Sequence, residues 1–388
     1  MLKNKKILLG VCGSISFYKA YEILSQLKKL GADVYVALSD GALKFCSVAG
    51  WEALTPHPIL SSQTENWQAG ISHISYAKMD LILLAPASVN TINRLANGIC
   101  DNVFMQTLIA SNAPLLIAPA ANNKMLEHFS TQKSIEFLKA NRANFIEPIK
   151  KTLACGDVGK GALAEVEDII AHTKKALTPQ KFTGKKVIIT GGATSEKIDN
   201  VRAITNFSSG KMARAMADAF FYAGATVCLA TSIKDTKAPY QIINFTNTKE
   251  LLDICQKECK NADILVACAA VSDYVSKQNF KGKLKKNELG DEWNLTLTKN
   301  IDVLASLNGS KCKKIGFKLE IDPKNAIKNA KDMLDKKDLD GVCLNIITHS
   351  NNFGSEQNEI SFITKDSVQN FILQNKNDLA KKLVELLA

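Results

Sequence analysis

Short apolar segments alternate with helix-length amphipathic segments along the first half of this sequence, and this alternation restricts its fold more than any other feature. Strands are predicted at residues 6–11, 33–39, 81–85 and 115–118, with a helix over 18–30 between the first two. Two parallel strands can be joined only by a crossover, usually a helix, and a parallel sheet carries helices on both faces. The first half is therefore predicted to be a three-layer α/β domain.

The alternation starts again after a polar stretch. A predicted helix over 166–176 is followed by residues 177–185, which contain Pro179 and Gly184 and which we interpret as a linker. Beyond it, the pattern predicts a helix over 211–223 and strands at 186–190, 226–231, 264–267 and 341–346. The predicted fold class is thus α/β, with two tandem three-layer Rossmann-like domains of residues 1–176 and 186–388.

The composition narrows the functional classes. Hydrophobic residues make up 46% and charged residues 22% of the 388 residues, which fits a globular protein of two domains. The apolar runs are too short to cross a bilayer, so no membrane partner is expected, and the first of them is interpreted as a buried strand rather than a signal peptide. The ten cysteines form no CxxC pair, which indicates a reducing cytoplasm with neither disulfides nor a zinc site. The net charge of +11 comes without an aromatic–basic module, so it favours anionic small molecules over nucleic acid.

The first predicted strand runs into GVCGSISFYK, residues 10–19. Gly10 and Gly13 allow the backbone to turn sharply, and Ser14 and Ser16 lie near the start of the next helix. Backbone N–H groups at a helix N-terminus, together with the helix dipole, form a site for a phosphate group. Because many strand–helix turns carry glycine without binding a ligand, this segment by itself is equally consistent with a plain turn.

Three further segments place chemically useful side chains beside turns. His73 in Ser72-His73-Ile74 precedes one predicted strand, Asn122 lies in the PAANNKM stretch after the next, and Cys155 lies in the Gly-rich segment LACGDVG. A single histidine or cysteine is usually a structural residue. However, ligands of open α/β sheets bind near the carboxyl ends of the strands, so the grouping of these three residues favours a binding site.

These segments together resemble the flavin-containing cysteine decarboxylases, and phosphopantothenoylcysteine decarboxylase in particular, over roughly residues 1–170. The resemblance is carried by GSISFYK, SHI, APAS, PAANNKM and ACGDVGKG. It implies a flavodoxin-like domain that binds FMN and forms trimers. The chain departs from the family at Ala121, where a methionine usually precedes the asparagine, and we expect this change to alter packing under the substrate rather than to remove activity.

The resemblance also implies a mechanism, in which the flavin oxidises the substrate's cysteine thiol to a thioaldehyde, carbon dioxide leaves, and the resulting ene-thiolate is reduced and protonated. Cys155 is the expected proton donor, because a thiol is still protonated near neutral pH. Asn122 is expected to hold the departing carboxylate through its amide group, and His73 to act as a base or to orient the flavin and substrate. The residues expected to lie near FMN are Gly13, Ser14, Ser39, Ser88 and Thr91.

The second half opens with ITGGATSEKIDNVRAITNFSSGKM, residues 189–212. A strand, a Gly-Gly turn and Ser208-Ser209-Gly210 before a helix indicate phosphate binding by backbone N–H groups. An NAD(P)-dependent reductase is the main alternative on composition alone. Against it, the glycines lack the G-x-G-x-x-G spacing, and the second strand, which runs VCLATS, has no acidic residue at its end to hold a ribose.

This half resembles the phosphopantothenate–cysteine ligase family over roughly residues 184–388. The matching segments, in the family's order, are TGGATSEKIDNVRAITNFSSGKM, AAVSDY, KLKK and IGF. By position, Arg202 and Asn206 fall on the family's essential Arg and Asn, and Lys283 on its catalytic Lys. The residues that fall on its CTP contacts are Ala267, Cys268, Ala269, Asp273, Lys283, Ile301, Asp302, Val303, Leu304, Phe317 and Lys337. Met333 stands where the family often has a second lysine.

The lysines of this half suit the implied chemistry. A carboxylate that attacks a nucleoside triphosphate needs positive charge beside the phosphates, which lysine side chains and Mg²⁺ supply. Five lysines lie from Lys277 to Lys286 with no acidic residue among them, and such a run is also consistent with a solvated basic loop. Its position directly after AAVSDY favours an active loop. Arg202 and Asn206 are expected to bind the phosphate of phosphopantothenate or the acyl cytidylate, and the sequence assigns no metal ligands.

The sequence thus predicts a bifunctional enzyme of coenzyme A biosynthesis. The second domain is expected to join 4'-phosphopantothenate to cysteine with CTP and Mg²⁺, and the first to decarboxylate the product with FMN. The alternatives are a flavin or nicotinamide oxidoreductase with two dinucleotide-binding domains, and a flavoprotein regulatory subunit, against which the presence of Cys155, His73 and Asn122 argues. A homo-oligomer is expected, with trimers of the first domain and dimers of the second.

Overall fold

A computed structural model describes residues 2–66, 72–152, 156–278, 280–348 and 351–388 of the chain. The chain separates into two compact units, Met1–Pro179 and Gln180–Ala388. The boundary falls after the helix Val166–Ala176 has ended and before the strand Lys186–Gly191 begins. No helix within the described ranges is long and apolar enough to cross a membrane.

The elements of the first unit are, in chain order, β1 (Lys6–Val11), α1 (Tyr18–Lys29), β2 (Asp33–Leu38), α2 (Ala49–Glu52), α3 (Ser72–Ala77), β3 (Leu81–Ala87), α4 (Val89–Ala96), α5 (Val103–Ile109), β4 (Leu115–Pro119), α6 (Asn123–Glu127), α7 (Phe129–Ala140), β5 (Asn144–Phe145), β6 (Ile149–Thr152), β7 (Val158–Ala162) and α8 (Val166–Ala176). Helix α1 illustrates why these segments fold as they do. Its apolar residues Ala20, Ile23, Leu24 and Leu27 recur at the spacing of one helix face and are fully buried. The chain turns towards β2 at Gly31, whose positive φ of 86° favours glycine.

The strands of the first unit form a parallel sheet in the order β2-β1-β3-β4-β5. Helices α1 and α8 share a core with one face of this sheet, and α4, α5 and α7 share a core with the other. The chain passes from β1 outward to β2 and then returns to β3 on the opposite side of β1. Open α/β sheets bind ligands in the crevice where the strand order reverses in this way.

The elements of the second unit are β8 (Lys186–Gly191), β9 (Ser195–Lys197), β10 (Ala203–Thr205), α9 (Lys211–Tyr222), β11 (Thr226–Thr231), β12 (Gln241–Asn244), α10 (Thr248–Glu258), β13 (Ile264–Ala267), β14 (Tyr274–Ser276), α11 (Lys286–Leu289), β15 (Leu297–Lys299), β16 (Lys313–Glu320), α12 (Pro323–Lys336), β17 (Gly341–Ile346), β18 (Gln357–Ile363), β19 (Val368–Asn375) and α13 (Lys376–Leu387).

The main sheet of the second unit has the order β12-β11-β8-β13-β16-β17-β18-β19. The strands from β12 to β17 are parallel and follow the Rossmann order, with the reversal between β8 and β13. Helices α9 and α13 pack against each other, with α9 on β8 and β11, while α10 and α12 share a core with the opposite face. The predicted fold class of two tandem three-layer α/β units is confirmed.

The structure also contains strands that the sequence pattern did not predict. Strands β18 and β19 extend the main sheet in antiparallel fashion, and β9–β10 and β14–β15 are antiparallel hairpins. Their sequences mix polar with apolar residues, so they lack the continuous apolar run that identifies a buried parallel strand. The two hairpins lie next to the second candidate site.

Candidate active sites

A cavity of about 750 Å³ lies at the carboxyl ends of β1 to β4 in the first unit, where the strand order reverses. These loops are far apart in the sequence and meet because parallel strands end at one edge of the sheet. The predicted residues that line the cavity are Gly13, Ser14, Ser39, Ser88, Thr91 and Asn122, and Ala121 lines it as well.

The hydroxyl residues of this cavity begin helical turns. Ser14 Oγ accepts a hydrogen bond from the Ser16 N–H at 3.3 Å, and Ser39 Oγ accepts one at 3.2 Å from the N–H three residues further on. Ser88 is the N-cap of α4, where its Oγ accepts from the Thr91 N–H at 3.3 Å and lies 3.2 Å from Thr91 Oγ1. Hydroxyl groups and first-turn N–H groups at a cavity wall can bind the phosphate and hydroxyl groups of a ligand.

Two glycines allow the backbone itself to form part of the cavity wall. A Cβ on Gly13 would lie 2.8 Å from the carbonyl carbon of Gly41, closer than real Cβ atoms approach. Both glycines line the cavity, so the backbone after β1 and β2 can approach a ligand directly. Phe104 and Met105 add an apolar surface. This combination fits a flat heteroaromatic ring with a phosphorylated polar tail, as in FMN.

Asn122 is held by the start of its own helix, and its amide group is directed at a carboxylate. Its Oδ1 accepts from the Lys124 N–H at 2.9 Å, and its Nδ2 donates to Asp157 Oδ2 at 3.2 Å. The N–H of Ala121 donates to Gly161 O at 3.0 Å, which joins the Asn122 loop to β7. The amide thus binds a carboxylate of the protein itself, the kind of group that the sequence-based hypothesis assigns to the substrate.

Of two further residues predicted to act in the first unit, the structure describes one. His73 lies in α3, which packs against α5, and its half-buried side chain does not line the cavity. Cys155 lies outside the described residues. The roles of both residues therefore stay predictions.

A group of charged residues at this cavity has no role in the sequence-based hypothesis. Lys19 and Lys151 line it and share Glu165, with Nζ–Oε distances of 3.2 and 2.5 Å. The hydrogen bond from Lys151, supported by Lys19, outweighs burial and holds the pKa of Glu165 below its usual value. Lys19 could have been found because it ends the GSISFYK motif, whereas Lys151 and Glu165 have no signal of their own.

The second unit has a cavity of about 850 Å³ beside the carboxyl ends of β8, β13 and β16. The predicted residues that line it are Asn206, Ala267, Ala269, Asp273, Ile301, Asp302, Val303, Leu304, Phe317 and Lys337. Cys268 instead lines a smaller adjoining cavity of about 190 Å³, together with Ser208, Ser209 and Gly210 at the start of α9. Most of the predicted nucleotide contacts therefore share one space, next to the turn in which the sequence analysis expected phosphate binding.

An ion pair lies in the wall of the larger cavity. Lys337 Nζ is 2.9 Å from Asp302 Oδ2. Burial opposes the charge of Asp302, but the hydrogen bonds from Lys337 and from two backbone N–H groups outweigh it and hold the pKa of Asp302 below its usual value. Met333, one helical turn before Lys337, lines the same cavity with an apolar side chain. The wall thus has an apolar side chain at the position where the resemblance implies a second lysine.

The AAVSDY loop is fixed by two residues that the sequence analysis missed. Thr190 Oγ1 accepts from the Ala269 N–H at 3.2 Å, and Asn300 Nδ2 donates to Ser272 O at 2.8 Å. Thr190 lies in the ITGG stretch and could have been found there. Asn300 had no signal beyond its position beside Ile301.

The three residues predicted to act in ligation do not meet in one place. Asn206 lines the larger cavity and donates through Nδ2 to a backbone carbonyl of the AAVSDY loop at 3.0 Å. Arg202 lies outside it, where its guanidinium is 2.7 Å from an oxygen of Asp199 and 3.3 Å from Leu284 O. Lys283 is exposed and does not line the cavity. The assignments of Arg202 and Lys283 stay predictions.

Both units match known families along almost their whole length. Residues 1–178 match the Flavoprotein family, and residues 182–388 match the DNA/pantothenate metabolism flavoprotein C-terminal domain. The chain is 33% identical to the coenzyme A biosynthesis bifunctional protein CoaBC of Vibrio vulnificus, over 99% of this chain and 97% of the relative. It is 34% identical to the Bacillus subtilis protein of the same name, over 100% and 98%. The chain belongs to the family of bifunctional coenzyme A biosynthesis proteins.

Membership of this family confirms the resemblance of both halves and identifies the chain as an enzyme. Among solved structures, the DNA/pantothenate metabolism flavoprotein from Streptococcus pneumoniae is 28% identical, with a TM-score of 0.46, and covers 52% of this chain and 98% of its own. Ala121 and Met333, the two positions at which the resemblance implies other residues, line the candidate cavities.

The contact between β7 and the Asn122 loop generates a prediction. A Cβ at Gly161 would lie 2.1 Å from Ala121 O, so Gly161→Ala has to displace the loop that carries Asn122. Overpacking of this kind costs about 1–3 kcal/mol. We expect the urea transition of the first unit, followed by circular dichroism, to report a loss of this size in the free energy of unfolding.

Gly50→Ala is the matched control within the same unit. Its Cβ would meet the Tyr21 hydroxyl at 3.1 Å, the end of a side chain rather than a backbone atom, and alanine favours the helix in which Gly50 lies. This variant should be as stable as the parent. Equal stability of the two variants would contradict the prediction, because it would show that the Asn122 loop can move without lowering the free energy of unfolding.

Proposed function

We propose that the second unit joins 4'-phosphopantothenate to cysteine with CTP, and that the first unit then decarboxylates the resulting phosphopantothenoylcysteine with FMN to give 4'-phosphopantetheine. The observation that carries this proposal is the similarity to bifunctional coenzyme A biosynthesis proteins across both units. Each unit also has its own cavity at the carboxyl edge of its sheet. The residues at each cavity support one of the two reactions.

The second cavity suits activation of a carboxylate by a nucleoside triphosphate. The carboxylate of phosphopantothenate attacks the α-phosphate of CTP, diphosphate leaves, and an acyl cytidylate forms. The amine of cysteine then attacks the acyl carbon, and CMP leaves. We assign the Asp302–Lys337 pair and Phe317 to nucleotide binding, and Lys283 to neutralising the charge that develops on the phosphates.

Mg²⁺ is proposed to enter this site with CTP. Enzymes usually bind Mg²⁺ through substrate phosphates and one or two carboxylates, with water completing the shell, so a preformed metal cluster is not required. The described residues contain no group of three or more His, Cys, Asp or Glu side chains that could hold a metal ion. Asp273 and Asp302 are the carboxylates that line the larger cavity.

The first cavity suits FMN and a substrate that carries a carboxylate. The backbone of Gly13 and Gly41 and the hydroxyl groups of the cavity would hold the cofactor. When bound, FMN supplies the two-electron oxidation of the substrate's cysteine thiol and the matching reduction after carbon dioxide has left. We assign Asn122 to the substrate's carboxylate, and Cys155 to the proton that completes the product.

Turnover by the purified full-length protein tests this proposal. With 4'-phosphopantothenate, cysteine, CTP and Mg²⁺, mass spectrometry should detect CMP and 4'-phosphopantetheine, and the absorbance of the protein should show FMN. Residues 180–388 expressed alone should stop at phosphopantothenoylcysteine, because the ligase cavity lies within that unit. A protein that oxidises NAD(P)H and forms no phosphopantothenoylcysteine would contradict the proposal.

Cys155→Ser is expected to divide the decarboxylation. A serine hydroxyl is a much weaker acid than a thiol, so the final protonation should stall while the earlier steps continue. Given phosphopantothenoylcysteine, the variant should release carbon dioxide and accumulate a product lighter than 4'-phosphopantetheine by two hydrogen atoms. His73→Asn, the comparison variant, should release no carbon dioxide. If Cys155→Ser retains FMN and also releases none, Cys155 acts before decarboxylation.

The position of His73 supports an oligomeric active site. Because His73 does not line the cavity of its own chain, we propose that the first units form a trimer in which His73 completes the cavity of a neighbouring chain. The second units are proposed to form dimers.

Mixed assemblies of two inactive variants test this arrangement. His73→Asn and Asn122→Ala should each be inactive in decarboxylation. Coexpressed in equal amounts, they should recover about a quarter of the activity, since random mixing pairs an intact cavity with an intact α3 in roughly one site of four. If the mixtures stay inactive although sedimentation shows that they assemble, His73 does not complete the cavity of a neighbouring chain.

A further inference from the structure

Asp199 joins the β9–β10 hairpin to the loop that carries Lys283. It lies at the turn of the hairpin, and its side chain is fully buried. One carboxylate oxygen, Oδ1, accepts from the N–H groups of Val201 and Arg202 at 2.7 and 2.6 Å. The other, Oδ2, accepts from Arg202 Nη1 at 2.7 Å and from the Leu284 N–H at 3.2 Å. Oδ1 therefore closes the turn, whereas Oδ2 connects the turn to the loop.

The backbone of the loop runs beside the turn. The Asn200 N–H donates to Gly282 O at 3.0 Å, and the Phe280 N–H donates to Ile198 O at 3.1 Å. These bonds bring the two segments together, but they flank Lys283 on the N-terminal side alone. The Asp199 bond to the Leu284 N–H holds the residue immediately after Lys283, so the backbone is fixed on both sides of it.

Arg202 also connects the hairpin to the Lys283 loop, through the backbone carbonyl of Leu284. Its guanidinium donates to Leu284 O at 3.3 Å and lies over the ring of Trp293, 5.6 Å from the ring centre. Asp199 orients this guanidinium through the Nη1 bond. Two residues of the hairpin turn and one residue of the loop thus depend on one carboxylate for their arrangement.

The charge of Asp199 is needed for this role. Burial opposes the charge, but three backbone N–H groups and the Arg202 guanidinium outweigh it and hold the pKa of Asp199 below its usual value. Both groups at Oδ2 are donors, and Arg202 is a cation. An amide nitrogen in place of Oδ2 would face two donors and could accept from neither.

We propose that Asp199 is a positioning residue of the ligase reaction, which holds the Lys283 loop and the Arg202 guanidinium in register with the hairpin that bears Asn206. This inference rests on the proposed ligase function of the second unit. An exposed lysine on a loop samples many positions, and a displacement of about 1 Å at a reacting group can lower a rate by about a hundredfold. Asp199 acts by reducing that freedom and does not itself contact the substrates.

Asp199→Asn in the full-length protein tests the proposal at the level of single atoms. The variant keeps Oδ1 for the N–H groups of Val201 and Arg202, and it replaces only the oxygen that reaches the loop. Asp199→Ser, which also offers a single side-chain oxygen to the turn, serves as a second variant if the first does not fold. Asp263→Asn is the matched control, because Asp263 likewise accepts from a backbone N–H, that of Lys186 at 2.8 Å, but at the amino end of β8.

We expect Asp199→Asn to lower the kcat of ligation by about tenfold to a hundredfold, with the affinity for CTP changed by less than about threefold. The decarboxylation rate of the same molecules, measured with phosphopantothenoylcysteine, should be unchanged and reports that the first unit is folded, while the retained affinity for CTP reports that the second unit is folded. Trypsin should cut after Lys281, Lys283 or Lys285 faster than in the parent. Asp263→Asn should ligate at the parental rate.

A double-mutant cycle with Lys283→Ala separates positioning from a general structural role. If Asp199 acts through Lys283, the double variant should be about as slow as the slower single variant, because one substitution already removes what the other affects. Additive losses, or ligation by Asp199→Asn within about twofold of the parent, would overturn the proposal. Absence of ligation by the parent protein would instead contradict the proposed function itself.

Discussion

Both candidate sites depend on one constraint, that neighbouring parallel strands end at the same edge of the sheet and the chain must cross a face of the sheet to return. In the first unit this brings the loops after β1, β2, β3 and β4 to one cavity. In the second it brings together the loops after β8, β13 and β16. Where the strand order reverses, adjacent connections leave on opposite faces, and the crevice between them can hold a ligand. The helices that pack on each sheet hold these strand ends in place.

Much of the fold and part of each site could be predicted because their signals are local. A buried parallel strand needs a continuous apolar run, and residues 81–85 show one inside the observed strand Leu81–Ala87. The turn residues follow from the same pattern, since Ser88 directly follows a strand, Ser14 comes shortly after one, and both begin helical turns. Positions such as these can be assigned from a single segment of sequence.

The features that could not be predicted join segments that are distant in the sequence. The bond between Asp199 and the Leu284 N–H spans 85 positions, and the one between Lys19 and Glu165 spans 146. A hydrogen bond between distant segments does not change the hydrophobic periodicity of either one, so it can be identified only from the folded structure. The same reason explains why the family motifs predicted Lys283 but could not show that it lies outside the larger cavity of the second unit. Strands β18 and β19 were missed for a different reason, because antiparallel strands are less uniformly apolar than buried parallel ones.

The two lysines that share Glu165 also determine how a ligand arrives. One carboxylate between two ammonium groups leaves a net positive charge at the rim of the first cavity, on a chain whose formal net charge is +11. Molecules that carry phosphate and carboxylate groups are drawn to such a rim, and the attraction reaches about 10 Å at 0.1 M salt and less at higher ionic strength. Salt screens the interactions between charged groups inside the cavity far less. Encounter and chemistry in the first unit should therefore respond differently to salt, so that the rate at low substrate concentration falls with ionic strength while the rate at saturation holds.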